Sequence, residues 1–268
     1  MNSEQLIARS ISACQIPDKA GNTWQYHSRS DKHSRIACWV VLFDLLRASP
    51  LLRTHVSAGK VCFGINHEMR DFRLNRKKNL DLVLCVGDPG SYNGRSFTEY
   101  GQSVGVILSE DEAAKLAELP VVRVGAIATV LLALEAKACM TEHVKARPRL
   151  YDELASSYQT IHGDTSSAIA AAFVMINTAS EFTSPDRNKS LHEGAMIINR
   201  HKQPKAALSV LEKVMELPRR SDERGAGFDA LGVSMVSCRN DGSPVAVDRE
   251  LSANVDRIAC YDALIQRL

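Results

Sequence analysis

Three apolar runs constrain this 268-residue chain more than anything else in it: Leu80 to Val86, interrupted only by Asp81, Thr129 to Leu134, and Ile169 to Ile176. Runs this short, bounded by turn residues or charge, read as buried strands. Helical spacing lies around them. From Asp31, Ile36, Trp39, Val40, Phe43 and Leu46 recur every three or four residues, and Ser49-Pro50 ends the pattern. Lys60 to Ile65 is a further short strand. Residues 146–161 are amphipathic, with Leu150, Leu154, Tyr158 and Ile161 on one face and Pro148 suited to the first turn. The order helix, three strands, helix, strand predicts an α/β fold: one mixed sheet flanked by helices.

The remaining segments are additions to that core. A short helix is predicted at Glu4–Ser12. Gly87-Asp88-Pro89-Gly90 marks a turn, and residues 88–104 read as loop. A helix follows at Glu110–Leu119 and a small strand at Val121–Ala126. The C-terminal part predicts a helix at Lys205–Leu217, strands at Asp229–Cys238 and Val245–Val247 around an Asn240-Asp241-Gly242 turn, and a helix from Asn254 to Arg267. No flexible linker stands out, so residues 1–268 read as one domain with a core at about 31–178, an insertion at about 88–128 and an α+β extension at about 190–268.

Hydrophobic residues make up 45% and charged residues 24%, which excludes disordered, collagen-like and coiled-coil chains. MNSEQLIARS is too polar for the apolar segment of a signal peptide. The uncharged stretch Thr165 to Ser180 is 16 residues, short of the roughly 20 that a membrane span needs. Seven cysteines, an odd number with no CxxC pair, point to reduced buried thiols and a cytoplasmic protein without a membrane partner. The net charge of +2 hides an asymmetry. Residues 1–80 carry 13 Lys/Arg against 6 Asp/Glu, and the remainder 20 against 25. A basic N-terminal third points to a polyanionic partner.

The chemistry lies in two acids on buried strands. A carboxylate in an apolar run is costly unless it is paired or binds a cation. Asp81 stands in the first run, and Glu135 follows the second directly, with Lys137 two residues on. Strand alternation puts Glu135 and Lys137 on one face. If the two strands are neighbours, Asp81, Glu135 and Lys137 converge, giving two hard oxygen ligands for Mg²⁺ with an amine beside them. Such a set suits phosphodiester hydrolysis, where a metal offsets charge and acidifies water and a lysine orients or deprotonates that water. Desolvation and the metal would lower the lysine pKa, and the carboxylates would raise it.

Leu80-Asp81-Leu82-Val83-Leu84 together with Leu134-Glu135-Ala136-Lys137 resembles the PD-(D/E)xK nuclease superfamily, the restriction-endonuclease-like fold, over about residues 31–178. Leu80 stands where that family often has proline. The resemblance implies an αβββαβ core. It implies that Asp81, Glu135 and the carbonyl of Ala136 bind Mg²⁺ and that Lys137 serves the attacking water. It also implies an acidic or polar accessory residue near the first helix, for which His33 is a candidate, with Glu68 as another second-metal candidate. Asp31 reads as the N-cap of the first helix and Glu153 as a solvated helix position.

Arg73, Arg76, Lys77 and Lys78, with Lys32 and Arg35, are the predicted DNA contacts, and Arg29, Arg147 and Arg149 extend the theme. The polar segment Phe182–Asn188 suits a groove-facing loop. Trp24, Tyr26 and Trp39 are too scattered for a single-strand stacking platform. The expected function is a Mg²⁺-dependent endonuclease of double-stranded DNA, most simply of the restriction type and working as a homodimer. Two other readings stand beside it: a defence or repair nuclease of the same fold switched on by a ligand or partner, and a non-catalytic DNA-binding protein in which the acids and lysine form a salt-bridge cluster.

Overall fold

A computed structural model describes residues 3–87, 94–188, 196–222 and 224–268. The chain begins with α1 (Ser3–Ser12) and a small hairpin, β1 (Ile16–Pro17) with β2 (Thr23–Trp24). Then come α2 (Lys32–Ala48), α3 (Pro50–Ser57), β3 (Val61–Asp71) and β4 (Arg76–Gly87). Helices α4 (Phe97–Val104) and α5 (Glu110–Ala117) precede β5 (Ile127–Cys139), α6 (His143–Asp164) and β6 (Ile169–Asn177). The chain continues through β7 (Glu181–Thr183), β8 (Ile198–Arg200), α7 (Lys205–Met215), β9 (Ala230–Ser237), β10 (Ala246–Val247), α8 (Arg249–Ser252) and α9 (Tyr261–Arg267).

The central sheet has the order β10-β9-β6-β5-β4-β3. Pairs β3–β4, β4–β5 and β9–β10 are antiparallel; β5–β6 and β6–β9 are parallel. A parallel neighbour needs a crossover, and α6 supplies it between β5 and β6. The fold is therefore mixed α/β, a six-stranded sheet flanked by helices, and helix, three antiparallel strands, helix and parallel strand follow in the predicted order.

Each sheet face has its own core. On one, α2 covers Leu82, Leu84, Leu134 and Ala136, and Tyr261 of α9 meets Phe173. On the other, α6 and α7 cover Leu80, Val83, Ala133, Ala172 and Val174. Helix α2 is apolar almost all round and buried from Ile36 to Leu46, because α1, α3, α4 and α9 pack around it as well as the sheet. Gly101 of α4 lies against it. A Cβ there would stand 2.5 Å from Trp39 Nε1, which donates to Phe97 O at 2.9 Å. Gly101→Ala should cost about 2–4 kcal/mol in chemical denaturation; an unchanged midpoint would contradict this packing.

Several predicted boundaries move. Strand β3 reaches Asp71 rather than Ile65, and β5 runs five residues past Leu134, so Glu135 and Lys137 lie within the strand and not at its tip. Helix α6 starts at His143, which puts Pro148 inside the helix, where its ring removes the bond to the carbonyl four residues back. Asp31 stands at the N-cap of α2, but its carboxylate makes no capping hydrogen bond and pairs with Arg35 at 2.6 Å instead. Residues 97–104 are helix, held by a Ser96/Glu99 capping box. Val121–Ala126 forms only isolated bridges, Phe63–Val124 and Ser96–Arg123. The last helix begins at Tyr261 because Asp256 takes the amides of Ile258 and Ala259 into a turn. The Phe182–Asn188 segment is β7 followed by a 3-10 turn at Pro185–Arg187, with Phe182 and Asn188 buried. Residues 88–93 and 189–195, which hold the rest of the Gly87–Gly90 turn and the start of the C-terminal extension, lie outside the described residues. All seven cysteines are free thiols. Among the described residues no helix is long and apolar enough to cross a membrane.

Candidate active site

The site forms where β4 leaves β5. Their ladder ends at the Leu82–Leu134 pair, while β5 stays paired with β6 as far as Cys139. The next residue of β4 is Asp81. Its Oδ2 accepts the Ala136 N–H at 2.9 Å, replacing the backbone partner that β5 has lost. The β3–β4 hairpin also twists sharply here. Ile65 and Leu82 belong to one core, Met69 and Leu80 to the other, and Asn66 between them has φ 51°.

Leu134 and Ala136 point toward α2, so alternation sends Glu135 and Lys137 toward α6. Glu135 is 1% exposed. Its Oε1 lies 2.7 Å from Lys137 Nζ and 3.5 Å from Lys78 Nζ, and its Oε2 is buried with no hydrogen-bond partner. Burial, reinforced by the charge of Glu135, pushes the Asp81 carboxyl up to about 6. Burial pulls the Lys137 ammonium down, but Glu135, Asp81 and Glu153 outweigh it and hold the group above the ordinary lysine value. Between burial and the carboxylates the balance falls to the carboxylates, which favour the ammonium form of Lys137.

Asp81, Ala136 and Lys137 line a cavity of about 570 Å³ together with Tyr26, His33 and Glu153. Glu135 is not on its wall. His33 lies against Tyr26, the rings tilted by 52° with centroids 4.9 Å apart; burial first, and then the charge of Lys137, lower its imidazole to about 4. It is neutral at pH 7, and its Nδ1 has no partner. Ser34 Oγ lies 3.5 Å from Asp81 Oδ1.

Not every predicted site residue comes here. Glu68 is exposed in a 2.7 Å surface pair with Lys77, away from the cavity wall. Arg73 lies in the β3–β4 turn and Arg76 and Lys77 open β4, at the end of the hairpin that leans on the C-terminal end of α6: Arg76 reaches Gln159, and the Phe72 N–H bonds Gly163 O. The cavity lies at the other half of that helix, against residues 145–153. Lys32 extends over the C-terminal end of α4, beside Gly105, and Arg35 is held by Asp31. The cations on the cavity wall are Arg29, Lys137, Lys145 and Arg149.

Lys78 differs most from a surface cation. It is turned inward under α6, where Nζ donates to Glu153 O at 2.6 Å and meets Glu135. Burial lowers its pKa, and Glu135 opposes that shift. Lys78→Met keeps the apolar stem and removes both contacts, which should cost about 1–3 kcal/mol by thermal or chemical denaturation. An unchanged stability would show that the pair with Glu135 contributes nothing.

Glu153, read from sequence as solvated, is a site residue: its Oε2 is 3.8 Å from Lys137 Nζ and its Oε1 accepts from Arg149 at 2.6 Å. One signal could have found it, since Glu153 lies between Leu150 and Leu154 at the edge of the buried face of α6. Tyr26 and Ser34 reach the site through tertiary folding alone.

Among the described residues no three His, Cys, Asp or Glu side chains form a cluster able to hold a metal. Mg²⁺ does not need one, because it keeps several waters and is commonly held by one or two carboxylates. The buried, unpartnered Oε2 of Glu135 and the raised Asp81 carboxyl are groups that such an ion would satisfy. Both are hard oxygen donors of the kind Mg²⁺ takes. The chain matches no protein-family model, no curated protein and no solved structure.

Proposed function

We propose that this chain is a Mg²⁺-dependent endonuclease of double-stranded DNA with a restriction-endonuclease-like core. The observation that carries the reading is the pair of inward carboxylates at the β4–β5 divergence, one with an orphaned oxygen, set against a lysine that opens onto a cavity. Asp81 and Glu135, with the carbonyl of Ala136, would hold Mg²⁺. When bound, the ion supplies Lewis-acid polarisation of the phosphoryl group and acidifies a water.

The chain's own residues do the rest. Lys137, kept as an ammonium by Glu135, orients the attacking water and offsets negative charge on the phosphate. Neutral His33 forms part of the cavity wall without adding positive charge there. Glu153 limits the side-chain freedom of Lys137. Arg29 and Arg149 stand at the cavity where phosphates flanking the scissile bond would lie. Cutting both strands requires two such sites, and a homodimer supplies them.

The 2.7 Å Lys137–Glu135 contact also favours a second reading, a structural ion pair in a non-catalytic DNA-binding protein. A purely structural pair gives no reason for the orphaned Oε2 of Glu135 or for a buried Asp81 carboxylate without an ion-pair partner among the described residues. Supercoiled plasmid incubated with the protein and MgCl₂ separates the readings. Nicked and linear products that vanish with EDTA are expected. Discrete fragments mark a restriction enzyme, and a smear marks a nuclease with little sequence preference. DNA binding without cutting would overturn the catalytic reading.

A further inference from the structure

A second cavity, of about 530 Å³, opens where the first turns of α6 and α7 meet β8. Six cations line it: Lys145, Arg147, Arg187, Arg200, Lys202 and Lys205; Glu142 is its single acid. Three of the six are engaged. Lys145 pairs with Glu142 at 3.1 Å, Arg200 lies 3.7 Å from Glu181, and Arg187 donates to Asn199 Oδ1 at 3.2 Å. Arg147, Lys202 and Lys205 have no ion pair or side-chain hydrogen bond among the described residues. Like charges gathered round a concave surface repel one another and focus a positive potential into it, and an anion relieves both. The positive ends of the α6 and α7 dipoles add to that potential.

The position of this cavity matters as much as its charge. Its wall shares Glu142 and Lys145 with the carboxylate cavity, so the two are neighbours along one surface. From Lys145 to Glu153, both on the wall of the carboxylate cavity, α6 rises by roughly 12 Å, so that cavity alone spans about three to four base-pair steps of a duplex. We infer that the basic cavity is a phosphoanion site, and that it takes backbone phosphates of the DNA flanking the phosphate that lies over Asp81. This rests on the nuclease reading of the neighbouring site. It also moves the main DNA contact from the Arg73–Lys77 turn to Arg147, Lys202 and Lys205.

The test reads binding and not cleavage. In a Lys137→Ala background, which leaves the DNA intact, a short fluorescent duplex is titrated and its anisotropy followed over a range of salt. The cavity variant Arg147→Gln/Lys202→Gln/Lys205→Gln should bind at least about tenfold more weakly, with a salt slope shallower by roughly three. The comparison variant Arg73→Gln/Arg76→Gln/Lys77→Gln should lose much less. Arg147 is half-buried, so Lys202→Gln/Lys205→Gln, at two exposed positions, provides a variant whose fold is not at stake. Inorganic pyrophosphate should displace duplex from the parent protein. Unchanged affinity and slope in the cavity variants, or a larger loss in the comparison variant, would overturn the inference. Pyrophosphate binding that depends on the cavity while duplex affinity does not would overturn the strand assignment in favour of a free phosphate ligand. A wild-type protein that fails to cut plasmid would count against the nuclease reading alone, because the anisotropy arm does not depend on it.

Discussion

Asp81→Asn should abolish cleavage and at the same time stabilise the protein. The Asp81 carboxyl titrates at about 6 in the folded protein, against an ordinary 3.8, and burial is the main cause. A carboxyl whose folded pKa is raised costs stability when ionised. That cost is absent below about pH 4, grows between pH 4 and 6, and is full above. The amide is neutral at every pH, and its oxygen can still accept the Ala136 N–H. The variant should therefore be more stable than wild type by about 1–3 kcal/mol near pH 7.5, and the gap should close as the pH falls toward 4. Equilibrium denaturation at the two pH values measures it. A variant less stable than wild type at pH 7.5 would mean that Asp81 is a structural group and not one kept for a ligand. Mg²⁺, which binds the folded state, should narrow the gap by stabilising wild type alone.

Lys137→Ala should lower the cleavage rate by about a thousandfold or more, the scale set by removing a charge-stabilising donor from an active site. DNA affinity and the fold should be largely retained. Lys137 is about three-tenths exposed, and its loss leaves Glu135 with Lys78 as a remaining cation. Lys137→Arg separates charge from chemistry. It keeps a cation beside Glu135, but the planar guanidinium is fixed in its charge and differs in reach, so stability should return and activity should not. Rescue of full activity by arginine would leave Lys137 only a structural charge.

The site was half legible in the sequence, for reasons that differ from residue to residue. Glu135 and Lys137 could be paired because a strand repeats every two residues and both follow an apolar run. Asp81 stood out as the lone charge within a buried strand. That these three meet depended on β4 and β5 being neighbours, which the structure shows. Lys78 could not be read correctly. In sequence it ends a run of bases, and only the packing of α6 on the sheet turns it inward while Arg76 and Lys77 stay outside. Local patterns also misplaced Pro148, because the apolar face of α6 and its tertiary contacts outweigh the preference of proline for a first turn. The basic cavity draws on β8 and α7 as well as α6, segments tens of residues apart, and a composition count dilutes it in an acidic C-terminal stretch.

The dependence of plasmid cleavage on Mg²⁺, compared between wild type and Glu135→Gln, tests the central claim most directly. The substitution keeps the shape of a buried side chain and removes the charge that would hold the ion. Wild type should cut with a saturable dependence on Mg²⁺ and not at all in EDTA, and Glu135→Gln should fail to cut at any Mg²⁺ concentration while remaining folded. Cleavage by the variant at the wild-type rate, or by wild type in EDTA, would contradict it.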